Sequence, residues 1–152
     1  MLNEIELQQE IKHLKKQIEN KQKNLQKNRS DIQNLEHVVT KSNEFGRSIE
    51  NYFSEFVMKI RNNAVALNPH NTFGEKYREG VRSLLNSPQN RGAINTAYDT
   101  AYRAGQSIRK LEDSNYSLDQ EIRQLEQQLY ECKQQLKTLQ MKKQWVALER
   151  RL

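Results

Sequence analysis

Apolar residues return along this chain at alternating steps of four and three. From Leu7 the steps reach Ile11, Leu14, Ile18, Lys21, Leu25, Asn28, Ile32, Leu35 and Val39, and the register never slips. It continues through Ser42, Gly46, Ile49, Phe53, Phe56, Ile60, Asn63 and Leu67. A second series runs from Ile94 through Ala97, Ala101, Ala104, Ile108 and Leu111, passes Asn115, and continues over Leu118, Ile122, Leu125 and Leu129. Cys132, Leu136, Leu139, Lys143, Val146 and Arg150 complete it. A repeat held over this many heptads predicts two long helices, over 3–67 and 93–150, each with one seam suited to a left-handed coiled coil. At about 1.5 Å per residue each would run roughly 85–95 Å.

The series break between them. Proline disfavours helical geometry at the residue before it, so Asn68-Pro69 ends the first helix. Thr72-Phe73-Gly74-Glu75 has the form of a capping box, and predicts a short helix over 73–86 with Tyr77, Val81, Leu84 and Leu85 near one face. The turn formers of 86–92 end it. Two long helices joined through a short segment fold back most simply as an antiparallel hairpin, with 68–93 at its tip. The expected fold is all-α, a single domain over 1–152.

The seam is uneven. In the expected hairpin Phe53, Phe56 and Ile60 lie opposite Ala97, Ala101 and Ala104, large rings against small residues. Towards the termini the seam is Ile and Leu, interrupted by Lys21, Asn28, Cys132 and Lys143, and the pairing is expected to bring Asn28 near Cys132. Polar seam residues cost stability and fix register and oligomer state.

Composition narrows the class. Hydrophobic residues make up 35% and charged residues 29%, with a mean hydropathy of -1.02, too little apolar content for a thick core. One cysteine allows no internal disulfide. No basic stretch followed by an apolar run marks a signal peptide, and no apolar stretch reaches the roughly 18 residues of a bilayer span. The expected location is the cytoplasm, with export alongside a partner as the other course.

Little in the chain suggests catalysis. His13, His37 and His70 have no second ligand at metal spacing, so solvated helix surface is the better reading of each. Gly74, Gly80, Gly92 and Gly105 are scattered and form no phosphate loop. Cys132 falls on the seam, where it acts as a small hydrophobe. No enzyme and no cofactor are expected. Lys133, Lys137, Lys142, Lys143, Arg150 and Arg151 face only Glu149 in their stretch, and are expected to lie beside Lys12, Lys15, Lys16, Lys21, Lys23 and Lys27. Such an end could dock an acidic surface, although a solvated flank is the plainer reading. Without aromatic interleaving there, nucleic acid ranks low.

The aromatics gather. Tyr52, Phe53, Phe56, Phe73, Tyr77, Tyr98 and Tyr102 concentrate around the expected tip. Packing against the short helix accounts for about half of them; the rest form a candidate binding surface for a partner helix or a second copy of the chain. The lone tryptophan, Trp145, stands one turn before Glu149, a candidate recognition handle beside the plainer reading of a coil flank.

Long helix, short polar tip and a second long helix ending in Glu149-Arg150-Arg151-Leu152 together resemble the WXG-like helical partner proteins of LXG toxins in type VIIb secretion systems. The resemblance implies a helical adaptor that binds the helical N-terminal domain of a secreted toxin, with room for a second small helical protein, and targets it for export. The chain departs from the family pattern in two places. Thr72-Phe73-Gly74 stands where Trp-x-Gly is usual, and Trp145-Val146-Ala147-Leu148-Glu149 has the spacing of the Tyr-x-x-x-Asp/Glu export motif with tryptophan in place of tyrosine. The alternatives are a stalk component of a type III or flagellar export apparatus, also a basic antiparallel coiled coil, and a purely structural coiled coil.

Overall fold

The first helix begins at a capping box. The amide of Asn3 donates to Glu6 Oε2 at 2.8 Å, and the amide of Glu6 donates to Asn3 Oδ1 at 2.9 Å. Two amides that a helix start leaves without intrahelical partners are thereby satisfied reciprocally. The computed structural model describes residues 3–66, 79–80, 83 and 87–150. Its long helices are α1, Glu4–Ala66, and α2, Pro88–Glu149. Contacts of Glu4 with Lys143, Asn28 with Asn115 and Glu50 with Tyr98 run in opposite chain directions, so the helices form an antiparallel all-α hairpin. The short helix expected over 73–86 and its capping box at Thr72 and Glu75 lie outside the described residues.

The second helix starts earlier than expected. Residues 88–92, read from the sequence as turn, are the first turn of α2. Density of turn formers misleads here because Pro88 is the first helical residue. There its fixed φ suits the helix and its missing N–H has no intrahelical partner to lose. The carbonyl of Ser87 accepts the first helical bond, from the amide of Arg91 at 3.2 Å.

The chain divides into two compact units, residues 1–31 with 110–152 and residues 32–109. In the first, Leu7, Leu14, Ile18 and Leu25 of α1 and Ile122 of α2 are buried, all of them seam positions. Each such side chain contributes roughly 1.5–3 kcal/mol on full burial, which helices this polar need in order to stay paired. In the second unit the buried positions among the described residues are small: Gly46 on α1, and Ala97, Ala101 and Ala104 on α2. The seam is therefore correct in both units.

The facing pairs differ from expectation. Asn28 does not meet Cys132; its side-chain amide donates to Asn115 Oδ1 at 3.0 Å, seam to seam. The alanines do not face Phe53 and Phe56. Ala97 shares a hollow with Ser42 and Phe45, and its neighbour Tyr98 lies over Gly46, whereas Phe53 and Tyr52 border Ala93. Small residues of one helix thus sit against rings of the other, Gly46 under Tyr98 and Ala93 beside Tyr52 and Phe53. Within the basic stretch Lys143 pairs with Glu4 of α1, and Gln140 Nε2 donates to the same carboxylate at 3.2 Å.

Lys21, a seam position, reaches out to pair with Glu121, whose other oxygen accepts from Ser117 at 3.4 Å. The hydrogen bond from Lys21 holds the Glu121 carboxyl below its ordinary range, and that from Lys143 does the same for Glu4. A carboxyl with a lower pKa folded than unfolded stabilises the fold above its ordinary value of about 4.3, and that contribution is lost as pH falls through the folded value. The thermal midpoint should therefore drop between pH 5 and pH 3, and Glu121→Gln should shrink the drop. Circular dichroism melts across that interval check this; an identical drop in the variant would assign the acid sensitivity to other carboxylates.

Candidate partner-binding face

The second unit presents an apolar face that its own two helices do not cover. Along α1, steps of four and three also connect Val38, Ser42, Phe45, Ile49, Tyr52 and Phe56. This series shares Ser42, Ile49 and Phe56 with the intrachain seam and adds Val38, Phe45 and Tyr52 one residue before seam positions. A helix with both series carries an apolar stripe wide enough for two neighbours. Among the described residues only one neighbour, α2, is present: Phe45 is 58% exposed, Tyr52 67%, Val38 39% and Phe56 37%.

The rings are ordered among themselves. Tyr52 stacks on Phe56, one turn on, with centroids 6.4 Å apart and planes within 5°. It meets Phe53 edge-on at 6.0 Å. Such pairs add roughly 0.5–1.5 kcal/mol beyond area burial and hold the rings in one presentation. Beside the ridge, α2 offers only small side chains. One hollow is lined by Lys41, Ser42 and Phe45 of α1 with Ala93, Thr96, Ala97 and Thr100 of α2; another lies between Phe45, Ser48, Ile49, Tyr52, Phe53 and Ala93. The hydroxyl of Thr100 donates to the carbonyl of Thr96 at 2.7 Å, so the wall is polar in name but internally bonded.

Tyr98 takes a different part. Its ring lies across Gly46, and its hydroxyl donates to Glu50 Oε2 at 2.8 Å. That bond to a carboxylate raises the phenol's pKa, so the contact holds at neutral pH and fails in alkali beyond the ordinary tyrosine range, about pH 10. Tyr98 therefore clamps the two helices, whereas Tyr102, four residues on, stands in solvent at 65% exposure. Of the aromatics singled out in the sequence, Tyr52, Phe53 and Phe56 come together; Phe73 and Tyr77 lie outside the described residues. Phe45 and Val38 were missed. Stepping along α1 a second time, one residue off the first seam, would have found both.

Trp145 and Glu149 are both exposed, as is every residue of α2 from Met141 to Glu149. In the first unit one hollow is lined by Gln17, Asn20, Asn24, Gln124, Leu125 and Gln128 around the Lys21–Glu121 pair. Among the described residues no three His, Cys, Asp or Glu gather as metal ligands would, and no helix is long and apolar enough to cross a membrane. No family model, curated protein or solved structure matches the chain.

Proposed function

We propose that this chain is a non-enzymatic helical adaptor that docks a helix of another protein against the Phe45–Tyr52–Phe56 face. The observation that carries the reading is the second apolar series on α1, continuous over 38–56 and open to solvent beside a small-residue wall. Ridge and hollow side by side suit a helix laid into a groove, anchored by a few large side chains. The resemblance drawn from the sequence supplies the partner: the helical N-terminal domain of a type VIIb-secreted LXG toxin, held by the adaptor and delivered for export, with Trp145 and Glu149 as the candidate export handle.

Co-expression with the helical domain of such a toxin tests this. A stable complex is expected, and Tyr52→Asp should lose it while circular dichroism stays helical. Tyr102→Asp should leave it intact, because Tyr102 stands apart from the ridge. A complex that tolerates Tyr52→Asp and Phe45→Asp together would remove the face from the proposal. Failure to bind the toxin domain, with an export ATPase recovered instead, would replace the adaptor by the stalk reading.

A further inference from the structure

We propose that, without its partner, the chain pairs with a second copy of itself through this same face, about a two-fold axis parallel to the helices. The inference concerns the free chain and stands apart from the adaptor reading, although both use one surface. It rests on how large and small side chains are distributed between the two helices.

On this side of the hairpin α1 carries Val38, Phe45 and Tyr52 at seven-residue intervals, and α2 carries Ser107, Thr100 and Ala93 at the same intervals in the opposite direction. The intrachain register sets these at matching levels. Gly46 lies under Tyr98, and both Phe45 with Thr100 and Tyr52 with Ala93 border common hollows or their immediate continuation. Each level thus holds one large side chain and one small one. A single hairpin leaves the ridge on α1 proud and the wall on α2 hollow.

A two-fold axis along the helices resolves both at once. It sets α1 of one copy above α2 of the other without changing height, so Phe45 of each copy enters the hollow beside Thr100 of its mate. The other two levels follow in the same way, Tyr52 over Ala93 and Val38 over Ser107. All neighbouring helices are then antiparallel, and the arrangement is a four-helix bundle closed by an isologous contact. One patch serves as ridge and as hollow, which is the property such a contact requires.

Area and charge agree. Val38, Phe45, Tyr52 and Phe56 leave roughly 400 Å² per copy in water, given their exposures and the size of such side chains. The small side chains of the α2 wall that the mate's rings would cover add to this, which places the contact below the roughly 800 Å² per partner of a standard interface, among the weaker specific ones. Lys41 and Arg103 fall at the same level on the rim and would meet across it. Each is already held on its own helix, Lys41 by Glu44 at 2.9 Å and Arg103 by Asp99 at 2.8 Å, so the approach brings together neutral pairs. The tyrosine hydroxyl of Tyr52 stays at the edge, where water can reach it.

Sedimentation velocity on the whole chain alone decides the matter, with reductant present so that Cys132 cannot cross-link copies. At about 50 µM, well above the micromolar affinity expected of a contact of this size, the chain should sediment as a dimer, at twice its 18.0 kDa. Phe45→Ala should weaken the dimer at least about thirtyfold, as removal of a central aromatic anchor does. Combining it with Thr100→Phe, which exchanges large and small within one layer, should recover much of the loss. A wild-type monomer at that concentration overturns the pairing, and so does a Phe45→Ala dimer as tight as wild type. A Phe45→Ala loss that the exchange does not relieve overturns the proposed layers. Because no toxin domain enters the measurement, a monomer leaves the adaptor reading standing, and a toxin domain that fails to bind leaves the dimer standing.

Discussion

Replacing Gly46 with valine should destabilise the hairpin by about 2 kcal/mol, the typical cost of overpacking a filled site, and most of that cost should vanish in a Tyr98→Ala background. A Cβ at Gly46 would sit 2.9 Å from Tyr98 Cζ and 3.0 Å from Cε1, nearer than carbon atoms approach without movement. The ring cannot swing aside freely, because its hydroxyl is held by Glu50 at 2.8 Å. Nor can the helices part cheaply, since Ala97, Ala101 and Ala104 keep them close. Against this stands propensity: glycine inside a helix costs up to about 1 kcal/mol relative to alanine, and valine recovers part of it. The clash is therefore expected to win while Tyr98 is present and propensity to win once the ring is removed. Urea titrations of the four proteins of this cycle measure it. Equal costs in both backgrounds would mean that the valine collides with backbone, and that the ring is not what requires glycine at this position.

How far the sequence reaches is plain from the same residues. The seam could be read directly because a four–three repeat has a physical meaning independent of any partner: it defines one side of a helix. The seam positions that are buried, from Leu7 and Leu14 to Ala97 and Ile122, are those the stepping picks out. Which seam residue faces which is a different matter. Sliding one helix past the other preserves apolar contact, so the stepping defines each seam and leaves open which of its members face each other. Register therefore depends on a few specific partners, Asn28 with Asn115 and Gly46 with Tyr98, whose matching is visible only when both helices are in place. The candidate site was half legible for a related reason. Tyr52, Phe53 and Phe56 stand out as neighbours in sequence, but the ridge they belong to includes Phe45 and Val38, and it shows only when positions beside the seam are stepped as well. The division of labour between Tyr98 and Tyr102 could not be read at all, because it depends on a glycine in the opposite helix.

Replacing both Asn28 and Asn115 with leucine should raise stability by roughly 2–4 kcal/mol, as burial of two aliphatic side chains in a seam does, and should at the same time cost the chain its single register. The two amides meet at 3.0 Å, with Ser114 within reach of Asn28 at 3.5 Å, between Leu25 and Ile32 on one seam and Leu111 and Leu118 on the other. Leucine at both sites completes the apolar layer and leaves no amide behind. Either single substitution is a different experiment. It buries one leucine but strands the facing amide, and an unsatisfied half-buried polar group costs about 1–3 kcal/mol, enough to cancel the gain. The singles should therefore lie near wild type or below it, and the pair well above their sum. A chain of this length gains about 2–4 °C in midpoint per kcal/mol, so the double variant should melt roughly 5–15 °C higher. The loss of specificity follows from the same change. A half-buried asparagine pair favours the alignment in which both amides meet, and once it is gone slipped or open pairings bury as much apolar surface as the native one. Sedimentation of the double variant should show a spread of oligomers or conformers where the parent shows one species. Strictly additive single and double variants, or a double variant as uniform as the parent, would show that the pair does not set the register, leaving that task to Gly46 with Tyr98 and Lys21 with Glu121.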